Sequence, residues 1–416
     1  MRIETILNNC QKFKSFIYKD VRWVNHEGEQ CLEVEVRPRA NSKTICSDCH
    51  KPARLYDKLK TRRFEFIPIL GFRVFFLYQM RRVDCRNCGV TVEKVPWGSG
   101  KHTLTKAYMT FLADWAKVLS WQETARRFKS SWQKVFTAVR FVVEYGLKFR
   151  DISNVESIGV DEISIRKGHK YLTVVYQIDQ YFTRLLWVGE GRKVKTLLRF
   201  FRGFGKSWTK QLKHICSDMW KPYLKVIKKK APQANHILDR FHIVANINKT
   251  IDKVRAGEHR KLLEDGYEPV LKKSKWLLLK RKENLTKSQS VKLRELLKYN
   301  LKSVRAYLLK EEFQRFWDYN SPYWAEQFLD AWCTKVMRSK IEPMKKKAKS
   351  LRKHKRLILN WFRTKKAFSS GIVEGLNNKA KVATKKAYGF RTYKCAEIAL
   401  YHQLGKLPEP LMTHRF

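Results

Sequence analysis

Residues 157–191 carry three apolar runs in close succession: SIGVDEISIR (157–166), YLTVVYQID (171–179) and TRLLWVGEG (183–191). All three are rich in β-branched and aromatic residues, and short turns at Gly168-His169 and Gln180-Tyr181 separate them. That pattern predicts an antiparallel meander of three strands. Downstream, the apolar spacing predicts a helix over roughly 195–201, ended by Gly203 and Gly205. HICSDMW (214–220) then reads as a short buried strand, and 221–230 as a basic helix with Pro222 near its start. ANHILDRFHI (234–243) supplies a fifth strand and the beginning of another helix.

Three antiparallel strands, a helix, a strand, a helix and a strand is the element order of an RNase H-like α/β fold. The acids in this order bear on chemistry. Asp161 lies inside the first strand, where a charge is costly without a compensating partner. Alternation sends Glu162 to the opposite face. Asp218 falls at the carboxyl end of the fourth strand, the edge where open α/β sheets place ligands. A pair of divalent ions would neutralise both carboxylates and activate water or a 3′-hydroxyl for in-line phosphoryl displacement. Structural aspartates held in salt bridges are the other reading, and these residues alone leave the choice open.

Working toward the N-terminus, SWQETARRFKSSWQKVFTAVRFVVEYG (120–146) has the proportions of a helix-turn-helix. Thr124, Ala125 and Phe128 pack one helix, Ser130-Ser131 makes the turn, and 132–143 form the next. On that reading Arg126, Arg127, Lys129 and Lys134 contact phosphates; on the plainer one they form a solvated face of a helical hairpin. An earlier helix is marked by Phe111, Leu112, Trp115, Val118 and Leu119, after a stretch (96–100, PWGSG) that reads as a linker. Before it stand Cys46-Ser-Asp-Cys49 and Cys85-Arg-Asn-Cys88. Two such pairs suit a closed, four-thiolate structural Zn²⁺ site, although the segment between them is longer than usual. A β-hairpin accounts for that length: 63–69 and 72–80 are strand-like, with Gly71 at the turn. Leu32, Val34 and Val36 alternate with Glu33, Glu35 and Arg37 and mark a further strand.

Toward the C-terminus, 243–368 shows almost no strand signal and is too long for a loop. It reads as a helical insertion of about five helices, broken near Asn300, with Trp317, Trp324 and Trp332 as packing residues. Its densest basic runs, Lys345-Lys346-Lys347 and 352–356, carry few interleaved acids and are expected to meet DNA. Then SSGIVEGLNNKAKVATKKAYGFRTY (369–393) predicts a helix capped by Ser369-Ser370 and stopped by Gly389. Glu374, Asn378, Lys381 and Lys385 fall on one face of it. That face would offer a carboxylate to a metal and an amide with two ammoniums to a phosphate backbone; equally, it is the pattern of an ion-paired surface helix. The charge points the same way: 88 Lys and Arg against 38 Asp and Glu leave +50 over 416 residues, a surplus that implies a polyanionic partner and salt-dependent binding. Nine cysteines, an odd number, speak against a disulfide framework. No run reaches the ~18 apolar residues of a membrane span, no signal-peptide core opens the chain, and no phosphate-binding glycine loop is present. A cytoplasmic, nucleoid-associated protein without a membrane partner is expected.

Taken together, C-x-x-C…C-x-x-C, the helix-turn-helix, GVDEIS (159–164), CSDMW (216–220), DRFH (239–242) and VEGLNNKAK…GFR (373–391) resemble the ISL-three family of bacterial insertion-sequence transposases. The likeness runs through nearly the whole chain in order. It implies a zinc-finger region, a helix-turn-helix and an RNase H-like DDE catalytic domain interrupted by helices. The DDE carboxylates fall on Asp161, Asp218 and Glu374, as ligands for two Mg²⁺ or Mn²⁺ ions. DRFH resembles a companion motif of related enzymes, which places His242 at the DNA or the site and makes Asp239 the alternative second carboxylate. Arg391 joins Asn378, Lys381 and Lys385 as a DNA contact. The partners implied are double-stranded DNA, both terminal inverted repeats and target, and a second copy of the chain in a homodimer or larger assembly on DNA. The expected domains are 1–98 (zinc module), 101–150 (helix-turn-helix), 155–254 and 366–416 (the two parts of the core, the last with the Glu374 helix), and 255–365 (insertion). The rival functions are a non-catalytic zinc-dependent DNA-binding regulator and a structure-specific nuclease.

Overall fold

The structure, a computed structural model, describes residues 2–26, 28–166, 170–366 and 371–410. It is an α/β protein with two mixed sheets. The chain divides into two compact units, one of Met1–Asp151 with Val382–Phe416 and one of Ile152–Lys381. The second boundary between them falls inside a helix.

The first unit opens with α1 (Ile3–Cys10) and the strands β1 (Phe16–His26), β2 (Glu29–Pro38), β3 (Arg54–Ile69), β4 (Phe72–Cys85) and β5 (Gly89–Val92). Their order is β1-β2-β4-β3, with β5 on β4; only β2 and β4 run parallel. Leu32, Val34 and Val36 bury the predicted face of β2 against Phe64, Val74 and Phe76. The β3–β4 turn has Leu70 at φ 51° and Gly71 at φ 86°. Two consecutive positive φ values are what a two-residue hairpin turn of type I′ requires. The expected linker is instead core. Trp97 is buried against Phe13, Phe16, Phe64 and Tyr78, with ring centroids 4.9–6.2 Å apart. Pro and Gly around it signal a bend, but a large aromatic ring outweighs them because its burial removes so much apolar area from water. Three helices follow: α2 (Lys106–Val118), α3 (Trp121–Arg127) and α4 (Trp132–Phe149). A capping box between Ser120 and Glu123 starts α3, and the Ser131 hydroxyl caps α4.

The second unit begins with β6 (Ser157–Arg166), β7 (Lys170–Ile178) and β8 (Thr183–Glu190), the predicted meander. α5 (Val194–Lys210), β9 (His214–Ser217), α6 (Lys221–Lys230), β10 (Asn235–Leu238) and α7 (Arg240–Glu264) complete the core order. Sheet order is β10-β9-β6-β7-β8, with β10, β9 and β6 parallel and the other pairs antiparallel. α5 does not end at the glycines as expected. It continues through Gly203 and kinks at Gly205, whose φ is 84°, because Phe200, Phe204 and Trp208 pack on one another across the kink. One sheet face is covered through Ile158, Val160, Val175 and Ile215 packed on Phe200, Tyr223 and Val226 of α5 and α6.

Six further α-helices form the insertion: α8 (Lys275–Leu279), α9 (Lys287–Leu296), α10 (Lys302–Gln314), α11 (Pro322–Arg338), α12 (Glu342–Lys353) and α13 (Lys355–Arg363). They share one apolar core with α7, in which Trp317 and Trp332 are buried. Trp324 is not a packing residue; it is exposed, one position before the buried Ala325. α14 (Gly371–Lys386) follows, its expected cap Ser369-Ser370 lying outside the described residues. α15 (Tyr393–Leu404) closes the first unit. No helix of the described residues is long and apolar enough to cross a membrane.

Candidate active site and metal centre

In the first unit, Cys46, Cys49, Cys85 and Cys88 bring their sulfurs within 4.8 Å of one another. Cys49 and Cys85 sulfurs are 3.5 Å apart. At a metal–sulfur distance of about 2.3 Å, tetrahedral ligands lie about 3.8 Å from each other, so the spacing fits a four-thiolate ion. Two tight turns shape it: His50 N–H donates to the Cys46 carbonyl and Cys88 N–H to that of Cys85. The Thr91 hydroxyl, 3.4 Å from the Cys46 sulfur, and nearby backbone draw that thiol down to about 6. Burial and the neighbouring sulfurs push Cys88 up to about 12. Four crowded thiols cannot all ionise unaided, and a cation among them removes the conflict. No disulfide joins any of the nine cysteines.

In the second unit the register decides the site. Val160 of β6 pairs with Ser217 of β9, and Ser217 with Leu238 of β10. The next residue on each parallel strand is an aspartate: Asp161, Asp218 and Asp239. Three carboxylates thus stand side by side, Asp161 within β6 and Asp218 and Asp239 just past the carboxyl ends of β9 and β10. Each accepts one backbone N–H: Asp161 from Glu162 (2.7 Å), Asp218 from Trp220 (2.9 Å) and Asp239 from Phe241 (2.7 Å) as the cap of α7. His242, in the first turn of α7, places Nε2 3.8 Å from Asp161 Oδ1 and 3.7 Å from Asp239 Oδ2. Burial raises the Asp161 carboxyl, and the charges of Asp239 and Asp218 add to the rise. Burial also raises Asp218, again with Asp239 contributing. An acid cluster short of positive charge is the donor set that suits divalent cations with oxygen ligands. The aspartates do not close on one point as the cysteines do: among the described residues only the cysteine group has three or more metal-type ligand atoms within 4.8 Å. Glu162 lies on the other face, as alternation requires, 3.4 Å from Arg192.

The opposite sheet face from α5 and α6 receives the first turns of α14. A side chain at Gly159 would put Cβ 2.6 Å from the Val373 methyl, so glycine there permits the close approach. Val373, Leu376, Asn377 and Ala380 form the buried side of α14. Asn377 Nδ2 donates to Asp161 Oδ2 at 2.5 Å, and its Oδ1 accepts from Tyr176 Oη at 2.8 Å. Asn377 was missed in the sequence, although a polar residue in phase with three apolar ones was a visible signal. Glu374, Asn378, Lys381 and Lys385 are exposed, as their common face predicts. Glu374 stands one turn before Asn377, and among the described residues no hydrogen bond or ion pair joins it to the aspartates.

Of the expected DNA contacts, Arg126, Arg127 and Arg391 are exposed. Lys129 pairs with Glu29 at 2.8 Å. Lys134 is turned inward, 2.6 Å from the buried Glu65, which Arg73 also meets at 3.2 Å. A carboxylate buried in β3 needs these cations, so Lys134 is engaged within the unit. The basic runs of α12 and α13 are partly committed as well. Lys355 pairs with Glu326 and Asp330, Lys345 with Glu342, and burial pushes Lys347 down to about 8.

A family model described as "Transposase", of the ISL-three group, matches residues 158–400, which span the aspartate row and α14. The transposase for insertion sequence element IS1001 of Bordetella parapertussis is 31% identical over 374 residues, covering 89% of this chain and 91% of that protein. The transposase for insertion sequence element IS1557 of Mycobacterium tuberculosis is 28% identical over 381 residues, with 86% and 85% covered. The chain belongs to the ISL-three family of insertion-sequence transposases. As a member it is a DNA-binding and DNA-cleaving enzyme.

Proposed function

We propose that the second unit is an RNase H-like core whose Asp161, Asp218 and Glu374 hold two Mg²⁺ or Mn²⁺ ions. The observation that carries this reading is the register row of aspartates with α14 tied to its first member through Asn377. When bound, the ions would neutralise charge on the scissile phosphate and make water, then a 3′-hydroxyl, an effective nucleophile. The protein's own part is placement. Asp161 and Asp218 present oxygens from adjacent strands, and Asn377 and the Glu162 N–H fix the Asp161 carboxylate at both oxygens. Two ions set about 3.5–4 Å apart need a wider set of ligands than one closed point, which suits the open spacing of the row. Glu374 would complete the set from the exposed side of α14, with Asp239 as the alternative second carboxylate. His242, partly exposed at the rim, is suited to a phosphate oxygen.

Cys46, Cys49, Cys85 and Cys88 would hold a structural Zn²⁺ in the module of residues 1–98. That module and the helix-turn-helix of 101–150 would bind the terminal inverted repeats. Asn378, Lys381, Lys385 and Arg391 would track the strand near the cut, and two copies would act together on paired ends. The test is cleavage of a pre-cut terminal-repeat duplex in Mg²⁺. Asp218→Asn and Glu374→Gln each abolish strand cleavage and strand transfer while binding to the same duplex stays almost unchanged. Full cleavage by Asp218→Asn would sink the site; full cleavage by Glu374→Gln would remove that residue alone.

A further inference from the structure

We infer that a cavity in the first unit, beside the helix-turn-helix, takes up an unpaired base of a DNA strand. It measures about 570 Å³ and lies between α3, the start of α4, the turn after α14 and α15. That volume is within the range of about 300–1,000 Å³ typical of small-ligand pockets and has room for one nucleotide. Four aromatic side chains, Trp121, Trp132, Tyr388 and Phe390, line it among polar and charged ones that include Glu123 and Lys386. Trp121 and Trp132 stand 5.8 Å apart, and Phe390 is 6.4 Å from Trp121. One face of Trp132 stacks on Phe136 at an interplanar angle of 3°, yet the residue is still 41% exposed. Tyr388 is 99% exposed at the mouth. It sits there because Tyr388 and Gly389 both adopt positive φ, 50° and 93°. Exposed aromatic surface of this kind loses stability in water and gains it under a stacked base.

The cavity also holds a polar group without a mate. His402 lines it and a smaller neighbouring cavity, is 9% exposed, and among the described residues neither ring nitrogen has a hydrogen-bond partner. Burial, with Lys117 and Lys386 nearby, drives its imidazole down to about 3. A neutral ring offers one donor and one acceptor, the complement of a base edge rather than of a phosphate. Orphaned buried groups of this sort are rare and costly. At the rim, Arg126 and Arg391 are exposed and suited to the flanking phosphates. Aromatic side chains, an unmet hydrogen-bonding edge and outer cations together match an extruded nucleotide. A purely apolar peptide segment would leave His402 unsatisfied.

This inference rests on DNA being the substrate. Its test therefore uses full-length protein with no added Mg²⁺ or Mn²⁺ and three duplexes of one sequence: blunt, with a short thymine overhang, and with an abasic overhang of the same length. By fluorescence anisotropy the thymine overhang binds about fivefold or more tightly than the other two, since only it brings a base. Tyr388→Ala brings that ratio close to one while the blunt duplex binds as before, and Trp132→Ala also brings the ratio close to one. Tyr388 is so exposed that its removal cannot unfold the unit. Thymidine monophosphate competes weakly, because it lacks the flanking phosphates. Equal binding of abasic and thymine overhangs overturns the inference. So does a ratio that survives in both variants, or competition by the free nucleotide as strong as by the overhang. Failure to bind any of the duplexes contradicts the DNA-binding reading instead.

Discussion

The cysteine centre and the aspartate row are built by opposite means. Cys46, Cys49, Cys85 and Cys88 come from two tight turns of one sheet, each contributing a pair of ligands three residues apart. The aspartates are separated by tens of residues and meet only because β6, β9 and β10 are parallel and in register. The first kind of site is carried by local geometry and, on the proposed reading, would need an ion to hold the turns together. The second is carried by the sheet, which would stand without an ion, and burial, with the neighbouring acids adding to it, raises its carboxyls. The cysteine centre should therefore fail as a fold and the aspartate row as a catalyst.

Cys85→Ser tests the first half and has the largest expected effect. Structural four-thiolate ions contribute folding free energy outright, on the order of 10 kcal/mol in isolated peptides. The variant should lose its bound zinc by atomic absorption and show an early thermal transition for the first unit, and it should bind terminal DNA at least a hundredfold more weakly. An unchanged metal content and melting profile would break the comparison. Asn377→Ala tests the second half with a smaller effect. Groups that orient a metal-binding side chain are worth about 10–100-fold in metal affinity or activity. The Mg²⁺ concentration giving half-maximal cleavage should rise by that factor, and saturating Mg²⁺ should restore most of the rate. A lower plateau with no change in midpoint would mean that Asn377 only supports the fold. Lys134→Ala has the smallest expected effect. Arg73 still faces Glu65 in its absence, so the loss of stability should be about 1 kcal/mol, measured by urea unfolding. DNA affinity should fall less than in Arg126→Ala. The reverse order would place Lys134 among the phosphate contacts.

This contrast also explains what was legible in the sequence. The cysteines could be read from spacing, because a three-residue interval on a turn is a local fact. The meander, α6 and the strand ending at Asp218 could be read from periodicity and Pro222. Asp239 entered only as the alternative second carboxylate, because its place beside Asp218 depends on the pairing of Leu238 with Ser217 across a parallel ladder. Asn377 was overlooked because the exposed face of α14 gathers the charges that attract attention, while the buried amide does its work between Tyr176 and Asp161. Trp97 was mistaken for linker and Trp324 for core, since tertiary packing, not local composition, decides what a single aromatic residue does. The pairing of Lys134 with Glu65 was not legible either, because it joins α4 to β3 across the fold.

On the proposed function the aspartates hold metal during strand cleavage. Asp218→Cys tests it most directly, because a thiolate binds Mg²⁺ poorly and accepts softer ions. Cleavage of the pre-cut terminal-repeat duplex should vanish in Mg²⁺ and return in part in Mn²⁺, with DNA binding the same in both. Normal cleavage in Mg²⁺ would contradict the claim, and so would an equal, unrescued loss in both ions.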